Sequence, residues 1–375
     1  MVDRQSLISI ADYQFGLRSE KINSIARLVK LNIPTVPLPH VLSPAVYQFY
    51  LQSKKLPLQA EQELKVLFVK LQKAGYSATV RPSIFSEIPG AEFFVANSLN
   101  LPTFKEVVKA ITEGYEKVRK EFKQPEKIEF SYLIQGFYTA NKAGVVFSDD
   151  GSGQVYIEAA FGENTNIFTR GEVQPDVYKV DKQTGEIKER QIAAKQFTLE
   201  VSESGLRQVK LKEKERIKPV FTDKEIEKIY QYSLRMEKEY GPQEIECAVL
   251  RTGELIFQSA RTSQIGKQKA LGQQSKNIPV FSQPVQGEII FLNELGVKEN
   301  LSQKVVITDN LDIDFITRLV YRFRPKGGIL TRGSLTAHAV TILREAKVPS
   351  VLATGLRWKK QKLIEIKSNG EVLLR

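Results

Sequence analysis

The segment GGILTRGSLTAHAVTILREAKVPSVLATG, at residues 327–355, contains one of the two histidines of the chain. A short apolar run leads into a glycine-bearing turn, and HAVTILREA then reads as a helix. Thr336 is a candidate N-cap for this helix, which places His338 in its first turn. Strand-like stretches such as GEIIFL and KVVITD precede the segment. This alternation of strands and helices predicts an α/β domain of about 100 residues.

The start of a helix suits a histidine that carries phosphate. Free backbone N–H groups and the positive end of the helix dipole favour an anion there and disfavour an imidazolium. The His338 ring would therefore stay neutral and nucleophilic, and an attached phosphoryl group would be stabilised. Arg332 could contact that group through charge-assisted hydrogen bonds. The alternative is a histidine that only packs near the helix start, because a single histidine in this setting is a weak signal.

The chain before this domain combines helices with a strand-rich centre. Helical periodicity marks residues 15–31 and 104–123, whereas residues 127–213 show strand patterns separated by turn residues. A long helix follows, and Thr222 and Glu225 form a capping box at its start.

Domain boundaries are indicated by one polar stretch. Residues 243–261 read as two strands joined by a Thr-Gly turn, hence as a hairpin. The segment GKQKALGQQSKN that follows has no β-branched or aromatic residue, so it is the best linker candidate. We therefore predict a two-lobed domain at 1–265, a linker at 266–275 and a further domain at 276–375.

Composition excludes several classes of protein. Hydrophobic residues make up 42% of the chain, which is typical of an ordinary globular protein. No run of about 18 apolar residues predicts a membrane span, and the N-terminus is too polar for a secretory signal. The single cysteine, Cys247, excludes an internal disulfide and favours the reducing cytoplasm.

The formal net charge of +12 raises the possibility of a polyanionic partner such as nucleic acid. The lysines are spread along the chain and mixed with glutamates, as in KEFKQPEKIEF, and this pattern is typical of solvated surfaces. Because no zinc-finger or RNP motif accompanies the charge, the sequence does not favour nucleic-acid binding as the main role.

The histidine segment resembles the phosphohistidine motif of the phosphoenolpyruvate synthase and pyruvate phosphate dikinase family, which lies on a swivelling domain. Ser334 stands where the family has a glycine, and Lys347 replaces a later one. The residues that fit the family pattern are Thr336, His338, Ala339, Arg344, Glu345 and Pro349.

The first 265 residues resemble the ATP-grasp-like half of the same enzymes. Their motifs occur in the family order, which makes the resemblance more specific than any one match. They include Ser19-Glu20-Lys21 in place of Gly-Gly-Lys, Val80-Arg81-Pro82-Ser83 in place of Val-Arg-Ser-Ser, the AFGE stretch that ends at Glu163, and the hairpin IECAVLRTGELIFQSAR at 245–261.

This resemblance implies an α/β (α+β) fold, with a two-lobed ATP-grasp-like domain followed by a β/β/α swivelling phosphohistidine domain. It implies that ATP and Mg²⁺ bind between the two lobes. The implied ATP-binding residues are Lys21, Arg81, Glu163 and Arg261; the implied Mg²⁺ ligands are Glu246 and Gln258; and the implied catalytic residues are His338, Thr336 and Arg332.

The hairpin departs from the family pattern in one respect. The family has Gln-x-Arg, whose two side chains share one strand face, whereas this chain has Gln258-Ser259-Ala260-Arg261. Alignment on Arg261 puts Ser259 at the metal position, and a β-bulge would be needed to keep Gln258 there. Both alternatives stay open from the sequence.

The resemblance also implies a function. We expect an ATP-dependent phosphotransferase, similar to the pyruvate, water dikinases, that phosphorylates its own His338 and passes the phosphoryl group to an acceptor. The relatives carry a further C-terminal barrel for phosphoenolpyruvate or pyruvate, which we do not expect here. The acceptor would then be a small molecule or a site on a partner subunit. The alternative is a catalytically decayed homologue that binds nucleotide in a regulatory or scaffolding role.

Overall fold

The computed structural model describes residues 6–86, 94–163, 175–202, 205–263, 277–292, 300–331, 338–353, 363–368 and 370–374. The chain divides into two compact units: the first contains Met1–Thr139 and Ile245–Arg261, and the second contains Ala140–Glu244 and Thr262–Arg375. The boundaries predicted at 265 and 276 lie outside the described residues, so that domain division stays a prediction.

Helix ends follow local sequence signals. Thr103 and Glu106 form a capping box, as do Thr222 and Glu225, and Gly241 with a φ of 73° ends the second of these helices. A π-helical turn at Leu319–Phe323 directly follows the helix Ile313–Arg318. The described helices are α1 (Glu20–Lys30), α2 (Pro44–Ser53), α3 (Leu58–Lys73), α4 (Phe104–Glu121), α5 (Glu213–Arg216), α6 (Asp223–Tyr240), α7 (Ile313–Arg318) and α8 (His338–Glu345).

Strands occur in every part of the chain, so the fold mixes α and β structure. They are β1 (Leu7–Ser9), β2 (His40–Leu42), β3 (Ala78–Phe85), β4 (Ser98–Leu101), β5 (Glu129–Gly136), β6 (Ala140–Phe147), β7 (Gln154–Phe161), β8 (Asp176–Asp181), β9 (Ile187–Gln191), β10 (Phe197–Ser202), β11 (Gly205–Lys210), β12 (Gln243–Leu250), β13 (Leu255–Thr262), β14 (Ile278–Phe281), β15 (Val285–Phe291), β16 (Lys304–Thr308), β17 (Gly327–Leu330), β18 (Ser350–Leu352), β19 (Leu363–Ile366) and β20 (Val372–Leu374).

The first unit contains an antiparallel sheet in the order β1-β2-β5-β3-β4. One face of this sheet forms a hydrophobic core with α2, α3 and α4, to which β3 contributes Val80 and Ile84. Because side chains alternate along a strand, Arg81 and Ser83 lie on the opposite face. The second face is therefore the one on which the predicted phosphate-binding arginine lies.

The second unit contains two sheets of different kinds. The antiparallel strands β6, β7, β8 and β9 are neighbours in chain order. The second sheet, toward the C-terminus, has the strand order β14-β18-β17-β16-β15-β19-β20. Its strands β15, β16, β17 and β18 run parallel to one another. Helices α7 and α8 pack with alternate residues of these strands in one core. Parallel strands end at a common edge, and the chain that leaves β17 at this edge leads to α8 and His338.

The sequence predictions of local structure agree with these elements. The helix predicted within 15–31 is α1, that within 104–123 is α4, and the hairpin at 243–261 is β12 and β13. No helix in the described ranges is both long and apolar enough to cross a membrane.

Candidate functional site

Helix α1 begins directly beside the strand that carries Arg81. The Ser19 hydroxyl caps the helix by accepting a hydrogen bond from the Ile22 backbone N–H at 3.2 Å, and it also hydrogen-bonds the Ser83 hydroxyl on β3. Lys21 Nζ donates to the carbonyl oxygen of Pro82. The contact joins Lys21 to the residue that follows Arg81, the second predicted phosphate-binding cation.

The turn that precedes Lys21 is held by side chains. The Tyr13 hydroxyl accepts from the Leu17 N–H at 2.9 Å and donates to Asn23 Oδ1 at 3.0 Å. Burial, with a smaller contribution from Glu129, raises the pKa of Tyr13, so its hydroxyl stays a donor at neutral pH. The Arg18 N–H donates to Glu129 Oε1 at 2.8 Å, which ties the turn to β5.

This turn also explains why the glycines of the family's Gly-Gly-Lys are dispensable here. Ser19 has a φ of −79° and a ψ of 109°, and Glu20 is already helical. Neither position has the positive φ that favours glycine. The substitution therefore leaves the backbone before Lys21 unstrained, and Ser19 supplies a cap that glycine would lack.

Arg81 lies in a row of polar side chains on the second face of the sheet. Ser83 is buried on the same face of β3, and the register of β3 with β5 places the buried residues Ser131 and Gln135 on that face as well. Arg81 itself is half-buried. Among the residues that the structure describes, it has no hydrogen-bonding or ion-pair partner. All five N–H donors of its guanidinium remain available to an anion.

Gln135 is a further candidate for ligand contact that motif reasoning missed. It is 3% exposed, and its Oε1 is a buried oxygen with no hydrogen-bonding partner in the described part of the chain. A buried acceptor left unpaired costs about 1–3 kcal/mol, so a donor from a ligand or from water would be favoured at this point. The only signal in the sequence is one amide in the apolar run FSYLIQG.

Residues 245–261 of the hairpin of β12 and β13 belong to the same unit, and they contact α1 and the segment after it. Arg27 Nη1 on α1 donates to the Ala260 carbonyl at 3.4 Å, and Thr35 Oγ1 donates to the Phe257 carbonyl at 2.7 Å. Helix α1 therefore touches both strands that carry predicted phosphate-binding arginines, one through Pro82 and the other next to Arg261.

Exposure alternates along β13 at the predicted metal position. Gln258 is 6% exposed and Ala260 is buried, whereas Ser259 and Arg261 are half-buried. Ordinary strand alternation thus puts Ser259 on the same face as Arg261 and turns Gln258 to the other face. This arrangement supports Ser259 over Gln258 as the neighbour of a bound metal.

Glu246 on β12 has the properties of an available carboxylate. It is half-buried, and within the described ranges it makes no hydrogen bond or ion pair. The described residues hold no cluster of three or more His, Cys, Asp or Glu side chains suited to a metal. A single carboxylate still fits Mg²⁺, which usually combines one or two protein carboxylates with water and substrate phosphate oxygens.

The other predicted site residues belong to the second unit or lie outside the described residues. Glu163 belongs to the second unit, where its Oε1 accepts from the Ala140 N–H at 2.7 Å. His338 is the first residue of α8, but its side chain lies outside the described part. Arg332 and Thr336 fall in 332–337, which is also outside it.

The family description "Pyruvate phosphate dikinase, AMP/ATP-binding domain" matches residues 42–279. Since this match covers more than half of the chain, the chain belongs to that family of AMP/ATP-binding domains.

Named phosphoenolpyruvate synthases are among its relatives. The probable phosphoenolpyruvate synthase of Archaeoglobus fulgidus is 28% identical over 264 residues, which cover 65% of this chain and 34% of the relative. The phosphoenolpyruvate synthase of Pyrococcus furiosus is 28% identical over 63% of this chain and 31% of its own. That of Neisseria meningitidis is 24% identical over 90% of this chain and 48% of its own. The chain thus aligns with a third to a half of these relatives.

Solved structures that resemble the chain do so distantly. D-alanyl-alanine synthetase A from Vibrio cholerae aligns with a TM-score of 0.33 and 14% identity, over 65% of this chain and 57% of that one. PH1788 from Pyrococcus horikoshii aligns with a TM-score of 0.37 and 12% identity, over 65% of this chain and 89% of that one.

Proposed function

We propose that this chain is an ATP-dependent phosphotransferase that phosphorylates its own His338 and passes the phosphoryl group to an acceptor. The observation that carries the proposal is the contact of Lys21 with the carbonyl of Pro82, the residue that follows the half-buried Arg81, for which the described residues supply no partner. Lys21 and Arg81 are cations of the kind that bind the phosphates of ATP. Family membership supports the same nucleotide.

The roles of the remaining residues follow from their chemistry. Arg261 is the third phosphate-binding cation, and Glu163 is assigned to ATP by the family resemblance alone. Glu246 would hold Mg²⁺ together with Ser259 or Gln258. Bound Mg²⁺ would neutralise charge on the phosphate oxygens. In the phosphotransfer step, a neutral His338 nitrogen forms a bond to phosphorus while the bond from phosphorus to the leaving phosphate oxygen breaks. Arg332 and Thr336 would then hold the transferred group.

The rest of the reaction cycle is proposed from the family. An ATP-grasp-like domain at 1–265 would supply the nucleotide, and a swivelling domain at 276–375 would carry His338 to the acceptor. The acceptor would be a small molecule or a partner subunit with a phosphoenolpyruvate- or pyruvate-type site. We place this activity in the cytoplasm, where a single reduced cysteine is ordinary.

Labelled ATP tests the proposal directly. The chain is incubated with Mg²⁺ and with ATP labelled at either the β- or the γ-phosphorus, and the protein is then isolated. We expect acid-labile, base-stable label that is lost in His338→Ala and kept in His40→Gln. His40 is the matched control because it is the other histidine and lies on β2. Label that is absent, or that survives His338→Ala, refutes the proposal, and the labelled position identifies the phosphorus transferred.

The second candidate is a nucleotide-binding homologue that has lost catalysis. The buried Gln258 and the extra residue before Arg261 favour it, because both disturb the family's metal position. This candidate predicts measurable ATP binding with no label on His338.

A further inference from the structure

One stretch of the chain carries positive charge with no acidic residue to balance it. The sequence of residues 315–344 contains no aspartate or glutamate. The sequence of α3, LQAEQELKVLFVKLQK, shows the more usual pattern, in which lysines and glutamates are mixed over a solvated helix. The unbalanced cations of the stretch are Arg318, Arg322, Arg324, Lys326, Arg332 and Arg344.

Four of these cations, Arg318, Arg322, Arg324 and Lys326, form a basic patch on the second unit. Arg318 ends α7, Arg322 lies in the π-helical turn, and the other two follow in the connection to β17. All four side chains are exposed, and none of them makes an ion pair with a residue that the structure describes. The patch is therefore a concentration of charge that faces solvent.

The backbone under the basic patch is held firmly by the protein. Leu319 and Val320 are buried in the core of the C-terminal sheet. The Arg324 N–H donates to the Leu319 carbonyl at 3.0 Å, and the Lys326 N–H donates to the Lys304 carbonyl at 2.9 Å. These contacts fix where the four cations leave the backbone, so the patch is presented on a rigid part of the fold.

Repulsion within the basic patch is not offset by the described part of the protein. Arg318 and Arg322 are four positions apart, and like charges at this spacing destabilise a helix. The C-terminal end of a helix does favour cations, which accounts for these two arginines. It does not account for Arg324 and Lys326, which come after the last helical residue, Phe323. Carboxylates from outside would remove the repulsion of all four cations.

The chemistry of the basic patch favours an acidic protein surface as its partner. Three of the four cations are arginines, which are enriched at protein interfaces and bind a carboxylate through two parallel hydrogen bonds. The Arg322 guanidinium lies 5.6 Å from the centre of the Phe323 ring, which restrains it before a partner binds. Nucleic acid fits less well, because proteins that hold it tightly contact about 6–10 phosphates.

The place of the basic patch in the sheet also suits a docking role. Lys326 comes just before β17, whereas the chain that leaves the other end of β17 leads to α8 and His338. The four residues of β17 separate these two ends by about 13 Å. A partner bound at the patch can thus stay attached without covering the edge of the sheet that leads to His338.

We propose that the basic patch is a docking surface for an acidic segment of a partner protein. On the proposed function, that partner is the subunit with the acceptor site, so this assignment rests on the phosphorylation of His338. The docking itself requires neither ATP nor a phosphorylated histidine.

Binding of poly-L-glutamate to the full-length chain without nucleotide tests the docking surface. The patch variant is Arg322→Glu with Arg324→Glu. The matched control is Lys65→Glu with Lys73→Glu, which changes the net charge equally at exposed positions of α3. We expect the Kd of the peptide to rise at least about tenfold in the patch variant and to stay within about twofold of wild type in the control. Fluorescence anisotropy of labelled peptide measures it.

Four results would overturn the proposal. Equal weakening in the two variants would assign the binding to net charge. An oligonucleotide that binds more tightly than the peptide, and that only the patch variant loses, would make the patch a nucleic-acid surface. Dimers of the wild-type chain that the patch variant loses in sedimentation would make a second copy the occupant. Unchanged peptide binding with a lower unfolding midpoint would leave the cations only a role in ending the helix.

The labelling assay separates the docking from the chemistry. The patch variant should label His338 at the wild-type rate, because the proposed reaction does not use Arg322 or Arg324. Slower labelling would contradict a role confined to docking. A wild-type chain without any label would refute the proposed function while leaving the result on peptide binding intact.

Discussion

Arg81 in the first unit and Lys195 in the second are both cations at a sheet, yet their surroundings are opposite. Lys195 Nζ lies 2.5 Å from Asp176 Oδ1, and both side chains are 0% exposed. Arg81 is half-buried, and it has no hydrogen-bonding or ion-pair partner in the described ranges. Lys195 is paired within the protein, whereas the Arg81 guanidinium is available to bind an anion.

The Asp176 carboxylate that pairs with Lys195 accepts several further hydrogen bonds. Besides Lys195, it accepts from the Ala193 N–H at 2.9 Å, the Val220 N–H at 2.8 Å and the Tyr178 hydroxyl at 3.2 Å. Burial and then the Asp176 charge raise the pKa of Tyr178, so this hydroxyl remains a donor. A buried charge whose partners are all in the protein has a structural role, whereas a half-buried charge without a described partner is available to a ligand.

The largest loss of stability should come from breaking the buried ion pair of Lys195 and Asp176. Lys195→Met leaves Asp176 buried without its cation, so we expect a loss of about 3–5 kcal/mol in the free energy of unfolding. Urea denaturation measures it. The control is Lys188→Met at the exposed pair with Glu186, where the change should be below about 0.5 kcal/mol. Similar losses in the two variants would remove the distinction between the pairs.

Arg81→Met should leave the stability of the protein almost unchanged and weaken the binding of ATP. Nothing in the described part of the protein depends on its charge, so the unfolding midpoint should hardly move. We expect ATP affinity in Mg²⁺ to fall by about 10- to 100-fold, as is typical for loss of a charge-assisted contact. Calorimetric titration measures it, with Arg207→Met, an exposed arginine paired to Glu200, as the control. Unchanged affinity would mean that Arg81 does not bind the nucleotide.

Two buried tyrosines extend the comparison to uncharged groups. The Tyr132 hydroxyl donates to the Ile111 carbonyl at 3.1 Å, whereas the Tyr115 hydroxyl is buried and has no partner within the described residues. Tyr132→Phe should cost about 1 kcal/mol of stability, and Tyr115→Phe should be neutral or slightly stabilising. Thermal unfolding of the two variants, which differ from wild type by one oxygen each, measures the contrast. Equal losses would mean that the Tyr115 hydroxyl has a donor or acceptor partner after all.

The smallest effect belongs to a charge pair at the surface. The hydrogen bond from Arg119 is the main reason why the pKa of Glu116 is lowered to about 2. A carboxyl pKa lowered by folding adds stability above the unfolded-state pKa, and this stability is lost as pH falls toward 2. Because the pair is partly exposed, Glu116→Gln should cost no more than about 0.5 kcal/mol at pH 7 and nothing near pH 2. Denaturation at both pH values measures it, and a loss that is independent of pH would rule out the ion pair as its cause.

The candidate site could be predicted from the sequence only in part. Motifs identified Lys21, Arg81, Glu246 and Arg261 as residues of interest, and the structure puts all four in one unit. The motifs could not identify the unpaired oxygen of Gln135 or the contact of Ser83 with Ser19. The hydrogen-bonding partners of an amide or a hydroxyl depend on residues that are distant in the sequence. The exposure of Ser259 and the burial of Gln258, which bear on the metal position, likewise appear only in the folded chain.

The amino-acid sequence by itself determined the local elements and the family. Capping boxes such as Thr222 with Glu225, helical periodicity and the glycine at 241 act over about four residues, so they can be read without a fold. The order β1-β2-β5-β3-β4, the contact of Lys21 with Pro82 and the pairing of Arg344 with Glu244 were decided by tertiary structure alone. These features join residues that lie tens of positions to about a hundred positions apart, so no pattern within a few neighbouring residues encodes them.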